Sequence, residues 1–237
     1  MLFFALDTLR WAVRPPFRPE LILVQMAAIG VGSVFIVTTT SFFTGVVLAL
    51  QANYAMRQLG AEGYVGGSVA ISLARELAPV LTALFVIGRS GSAISTEIGT
   101  MRVTEQIDAL TTLSTNPMKY LVAPRLIAGL AMLPLLVIVA DIIGVFGGYL
   151  VSIYKLGFNP GVYIKNTIDF METMDVVSGL VKAAVFGYLV ALMGCYHGYQ
   201  SRGGAQGVGA ATTNAVVSAS ILILTFNYAI TELFFSR

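Results

Sequence analysis

Three ionisable residues sit where charge is expensive. Arg75 and Glu76 are adjacent near the start of a long apolar segment, and Lys182 lies inside another. Charges at membrane depth are costly and tend to mark function or tight pairing. Lys182 is about 9 Å into its segment at 1.5 Å per residue, a depth similar to that of Arg75 and Glu76. Two readings follow. In one, Glu76 satisfies Lys182 and Arg75 snorkels outward. In the other, the three line the polar rim of a cavity that receives an anionic headgroup, with acyl chains against apolar walls. Asp141 is a lone acid in a third apolar segment and reads as a packing or helix-contact residue. Other chemistry is thin. Cys195 and His197 are two apart, so on a helix they diverge, which argues against a nucleophile pair or a metal site. No glycine-rich loop ends in Gly-Lys-Ser/Thr, so the chain has no usual means of cradling ATP phosphates.

A second constellation is the stretch 89–125. It holds Arg89, Glu97, Arg102, Glu105, Asp108, Lys119 and Arg125 between apolar segments. Its middle has helical spacing. Val103, Ile107, Leu110 and Leu113 fall on one side, and Arg102, Glu105, Asp108 and Thr112 on the other. Asn116-Pro117 stops that helix. A short amphipathic helix between two spans is a contact surface for something outside the membrane.

Composition defines the elements that must position these residues. Of 237 residues, 57% are hydrophobic and 11% charged, with mean hydropathy +0.83. Soluble domains carry roughly 25% charged residues, so the expectation is one all-α integral membrane domain over 1–237. Five spans are expected, near 33–55, 66–90, 121–151, 176–198 and 211–234, each long enough for a bilayer that needs about 20 apolar residues. Residues 1–19 combine apolar side chains with Asp7, Arg10 and Arg14, which suits a helix lying in the interface. They lack a clean apolar core with a cleavage site, so no removable signal peptide is expected. A lead-in helix at 21–31 should end at a small-residue break around Gly30-Val31-Gly32. Asn159-Pro160 should start a short surface helix.

With a cytoplasmic N-terminus, the inner segments hold eight Lys/Arg and the outer ones five. The positive-inside rule favours that orientation, with 89–125 inside and the C-terminus outside. A net charge of +2 gives no argument for nucleic acid. Gly91, Ser95 and Gly99, Gly144 and Gly148, and Gly194 and Gly198 have helix-contact spacing, read as ordinary packing within one bundle.

The stretches GVVLALQANYAMRQLGA (45–61), RELAPVLTALFVIGRSGSAISTEIGTMRVTEQIDAL (75–110) and NPMKYLVAPR (116–125) resemble the MlaE-type permeases of bacterial lipid ABC transporters, relatives of the permeases that accompany MCE proteins. GLVKAAVFGYLVALMGCYHGY (179–199) and GVGAATTNAVVSAS (207–220) match more loosely.

The resemblance implies a non-catalytic homodimeric permease in the bacterial inner membrane. It implies a cytoplasmic ABC ATPase partner that carries the ATP and Mg, this chain binding no cofactor or metal of its own. It also implies a periplasmic MCE-domain protein and a STAS-domain protein as partners. The implied task is phospholipid movement between the inner membrane and the MCE assembly, maintaining outer-membrane lipid asymmetry. It implies a coupling helix over 98–113, with Glu105, Gln106 and Asp108 toward the ATPase. Arg75, Glu76 and Lys182 resemble cavity-lining residues of that family, and Leu77, Val80, Leu81 and Leu84 are candidates for the acyl-chain wall. The alternatives are a scaffold that anchors an MCE protein without transport, and a permease for a sterol-like substrate. An ion-driven carrier and a lipid enzyme are disfavoured by the absence of buried acidic relays, inverted repeats and catalytic constellations.

Overall fold

The computed structural model describes residues 19–235 together with Phe4 and Thr8. The interfacial helix expected over 1–19 otherwise lies outside the described residues. Among those described the protein is all-helical. Five helices are long and apolar enough to cross a membrane: α1 (Pro19–Gln58), α2 (Glu62–Val103), α4 (Met118–Tyr154), α6 (Thr173–Tyr199) and α7 (Gly204–Phe235). The short α3 (Gln106–Thr112) joins α2 to α4 at one end of the bundle, and α5 (Pro160–Phe170) joins α4 to α6 at the other.

α6 lies at the centre and packs against α2, α4 and α7, while α1 packs along α4. Phe186, Leu133, Val137 and Ile98 are fully buried in this core. Phe35, Phe43, Ile142 and Leu224 are exposed and apolar, the composition of a lipid-facing surface. Close approach comes from small residues. A Cβ on Gly45 would sit 1.8 Å from the Gly144 carbonyl oxygen, so α1 and α4 touch backbone to backbone. Gly194 and Gly198 meet the Gly91 and Ser95 carbonyls in the same way, so those stripes serve packing within this chain.

The break expected at Gly30-Val31-Gly32 does not occur. The helix runs through it as a π-turn over Ala27–Val31. In lipid every backbone group needs an internal partner, and a widened turn satisfies them where a true break does not. α2 also outruns the expected 66–90 span. It carries π-turns at Leu73–Leu77 and Ile87–Gly91 and continues to Val103, taking in the first part of the charged stretch. Arg89 stays inside this helix and donates to Ala28 O and Ser33 Oγ of α1, both at 3.3 Å.

The single helix expected over 98–113 is likewise two pieces. Residues 98–103 end α2, and the chain then turns at Glu105, whose φ is +59°, before α3. α3 docks through Ile107, which is buried, and Leu110 packs on the core. Leu113, placed on the same apolar side by spacing, is exposed because α3 has ended before it. At the opposite end Asn159 Oδ1 accepts from the N–H groups of Gly161 and Val162, the cap that starts α5.

Candidate functional site

The site begins with Pro79. A proline has no N–H to give to the carbonyl four residues earlier, which here is Arg75 O. The π-turn over Leu73–Leu77 brackets that gap. Lys182 Nζ of α6 fills it, donating to Arg75 O at 2.8 Å and to Glu76 Oε1 at 2.7 Å. Lys182 is fully buried, whereas the Glu76 side chain is 37% exposed. The two helices can come this close because Gly179, one turn before Lys182, faces Ala74 O, which would lie 2.2 Å from an added Cβ.

Glu76 has two further donors, both from α7. Asn227 Nδ2 gives to Oε2 and Thr231 Oγ1 to Oε1, each at 2.9 Å. Arg75 turns the other way. Its Nε donates to Oδ1 of Asp175, a fully buried carboxylate at the start of α6, and its guanidinium lies 4.3 Å from the centre of the Phe235 ring. Asp175 Oδ2 accepts from the backbone N–H of Glu172, closing a capping box that fixes where α6 begins.

Glu76 thus satisfies Lys182, the first of the two arrangements that the sequence allows. Arg75 does not snorkel free; Asp175 and Phe235 hold it. The cluster contains two cations and two carboxylates and is internally balanced. Arg75 remains 33% exposed with guanidinium N–H groups beyond its Nε bond, so it is the cation best placed to meet a ligand. Sequence reasoning does not single out Asp175, Asn227, Thr231 or Phe235. Asn227, Thr231 and Phe235 recur every four residues and share one face, so the polar pair Asn227 and Thr231 on an apolar span is the signal available.

The apolar candidates do not form one wall. Val80 and Leu84 pack against the main core on the Glu76 side of α2. Leu77 packs with the cluster around Val69 and Tyr163. Leu81 lies beside Thr40, Ser41 and Thr44 of α1.

At the α3 end, Glu105, Gln106 and Asp108 are all exposed. Arg102 Nη1 donates to Asp108 Oδ1 at 2.7 Å, tying α3 to the end of α2. Arg125 is 3% exposed and pairs with Glu97 at 2.8 Å, tying α2 to α4. Cys195 is buried, and His197 Nε2 meets Ser218 Oγ at 2.8 Å rather than the thiol. No group of three or more His, Cys, Asp or Glu is placed to hold a metal among the described residues. A non-glycine residue at positive φ costs roughly 1 kcal/mol. Glu105→Gly is therefore expected to raise stability by about that amount, read as a small rise in melting temperature of the purified protein.

Five helices of bilayer length around a partly open charge cluster, with a short amphipathic helix exposed at one end, give the architecture of a multi-pass membrane protein. The family model described as Permease MlaE matches residues 22–233, and the chain belongs to that family. A probable ABC transporter permease protein of Rickettsia bellii is 53% identical over 232 residues, 98% of this chain and 90% of the relative. The intermembrane phospholipid transport system permease protein MlaE of Haemophilus influenzae is 36% identical over 227 residues, covering 94% and 86%. The chloroplast protein TRIGALACTOSYLDIACYLGLYCEROL 1 of Arabidopsis thaliana is 34% identical over 213 residues, covering 90% and 61%. The chain is thus of the ABC transporter permease class, whose members are not themselves catalytic.

Proposed function

We propose that this permease moves phospholipids between the bacterial inner membrane and a periplasmic MCE-protein assembly, and so maintains outer-membrane lipid asymmetry. The observation that carries this reading is the cluster on Glu76. It is a charged, partly open site in apolar spans, with Arg75 still able to donate. The phospholipid transport role named for the Haemophilus relative supports the choice of cargo. Arg75 would hold the phosphate by charge-assisted hydrogen bonds, and Val80 and Leu84 would offer apolar surface to a chain.

The chain works as a homodimer with two copies of a cytoplasmic ABC ATPase, which bind ATP and Mg, and with a STAS-domain protein. The N-terminus is cytoplasmic and the C-terminus periplasmic. This places α3 beside the ATPase, with Glu105, Gln106 and Asp108 offered for docking, and places the Glu76 cluster toward the outer leaflet. ATPase closure pushes α3. Because Arg102–Asp108 and Glu97–Arg125 tie α3 to α2 and α4, the push repacks the spans around the cluster.

Two experiments test this. Arg75→Ala should lower photocrosslinking of a phospholipid probe to α2 and α7 by about tenfold, the worth of one charge-assisted hydrogen bond. Unchanged crosslinking would show that the cluster is purely structural. Glu105→Ala/Asp108→Ala should reduce ATPase co-purification and lipid-stimulated hydrolysis; full activity in that double variant removes α3 from the coupling path. Mass spectrometry of lipids bound to the complex, then reconstitution with ATP, reads cargo and direction.

A further inference from the structure

A cavity opens on the outer face of the bundle, lined mainly by α4 and α5. It has a volume of about 660 Å³, within the size range of small-molecule sites. Ile138, Ile142 and Phe146 of α4 form one side, and Ile164, Ile168 and Met171 under α5 form its roof. Ile142, Phe146 and Ile168 are largely exposed, so the groove faces the surrounding lipid. Its floor carries a carboxyl group: Asp141 lines it and makes no hydrogen bond among the described residues, and with Oδ1 sealed inside the protein Oδ2 is the oxygen open to a ligand. The nearby Thr167 hydroxyl is already spent on Tyr163 O at 2.8 Å. Among the described residues no cation lines the groove.

We infer that this groove binds the acyl chain of a bilayer lipid that carries a hydroxyl within its hydrocarbon part, with the hydroxyl donating to Asp141. The chemistry selects that ligand. A carboxyl group left without a partner in apolar surroundings costs free energy, and a plain acyl chain in contact with its open oxygen cannot relieve it. A hydroxyl donates to a carboxyl oxygen whether the acid is charged or neutral. Depth selects the position of that hydroxyl. Asp141 is about 12 Å along α4 from Tyr149 at 1.5 Å per residue, and Tyr149 lies under α5, with its ring 5.9 Å from that of Tyr163. A donor at a headgroup beside α5 stays above Asp141, whereas one partway down a chain reaches it. The groove is lined by α4, α5, Ala70 and Ala74 of α2 and Val176 of α6. It uses neither Arg75 nor Lys182, so the inference stands apart from the cargo reading above.

The test uses the full chain in its complex, reconstituted in liposomes. Two phosphatidylcholine probes carry the same diazirine, one on a chain with a mid-chain hydroxyl and one without it. The hydroxylated probe should label peptides of α4 and α5 about fivefold more than the plain one, the worth of one hydrogen bond. Asp141→Leu should abolish the difference, and Asp141→Asn, which keeps an acceptor, should retain it. Ile142→Trp, at an exposed lining position, should lower labelling by both probes. Equal labelling in the unmodified protein overturns the inference, as does a preference that survives in Asp141→Leu. Absence of labelling by either probe overturns it as well, since the groove would then be covered by protein.

Discussion

Replacing Lys182 with methionine is expected to destabilise the protein by about 3 kcal/mol, the low end for breaking a buried ion pair. The low end applies because Glu76 is partly exposed and keeps two other donors, Asn227 and Thr231. The loss that nothing replaces is at Arg75 O. Pro79 cannot supply an N–H there, and Lys182 Nζ is the donor that reaches it. Methionine fills the volume, so a cavity adds little. At about 2 to 4 °C per kcal/mol for a chain of this size, the melting temperature in detergent should fall by roughly 6 to 12 °C. Glu76→Gln should cost less, because its amide oxygen still accepts from Lys182. The double variant should lie near Lys182→Met and below the sum of the two losses, because the donor to Arg75 O is missing in both and removing the second member of a coupled pair costs less than removing the first. Strict additivity would mean that Lys182 matters only through Arg75 O and that Glu76 is held by α7 alone.

The Lys182–Glu76 pair is legible in the sequence because both residues interrupt apolar spans at matching depth, and few partners exist at that depth. Asp175 is not legible. It falls where a polar loop gives way to a span, and only the capping box with Glu172 buries it there. Asn227 and Thr231 are about 150 residues from Glu76, and their meeting depends on how α7 rotates against α2, which hydropathy does not encode. The spans are visible because an apolar run of bilayer length suits little besides a membrane crossing. Their interruptions mislead for one physical reason. Glycine and proline mark breaks in water, but in these spans the freed backbone groups are taken up by π-turns and by side chains from neighbouring helices, as at Ala27–Val31 and Pro79. The charged stretch 89–125 shows a short amphipathic helix from its spacing. The left-handed turn at Glu105, which separates α3 from α2, has no signal in side-chain periodicity.

Gly179→Val is expected to cost more than the loss of Lys182 and to remove the site with it. Any Cβ at this position meets the Ala74 carbonyl oxygen at 2.2 Å, and that atom is backbone, so a rotamer change cannot relieve the clash. α6 must move away from α2 by more than about 1 Å to restore ordinary contact, which lies near 3.5 Å for non-bonded atoms. Lys182 is less than one turn further along α6, so its 2.7 and 2.8 Å bonds to Glu76 and Arg75 O stretch with that movement. The Asp175–Arg75 bond one turn earlier is pulled in the same direction. Overpacking of a tight core typically costs about 1 to 3 kcal/mol, and the lost buried bonds add to it. Gly179→Ala should show a smaller loss of the same kind. Gly88→Ala is the control on α2, since nothing lies within 4 Å of its added Cβ, and it should be neutral or gain up to about 1 kcal/mol from helix propensity. Detergent melting and phospholipid crosslinking at α2 and α7 should fall together across this series. A Gly179→Val protein that melts normally would mean that α2 and α6 are not held at backbone contact. One that melts low but crosslinks fully would mean that lipid is held outside the Glu76 cluster.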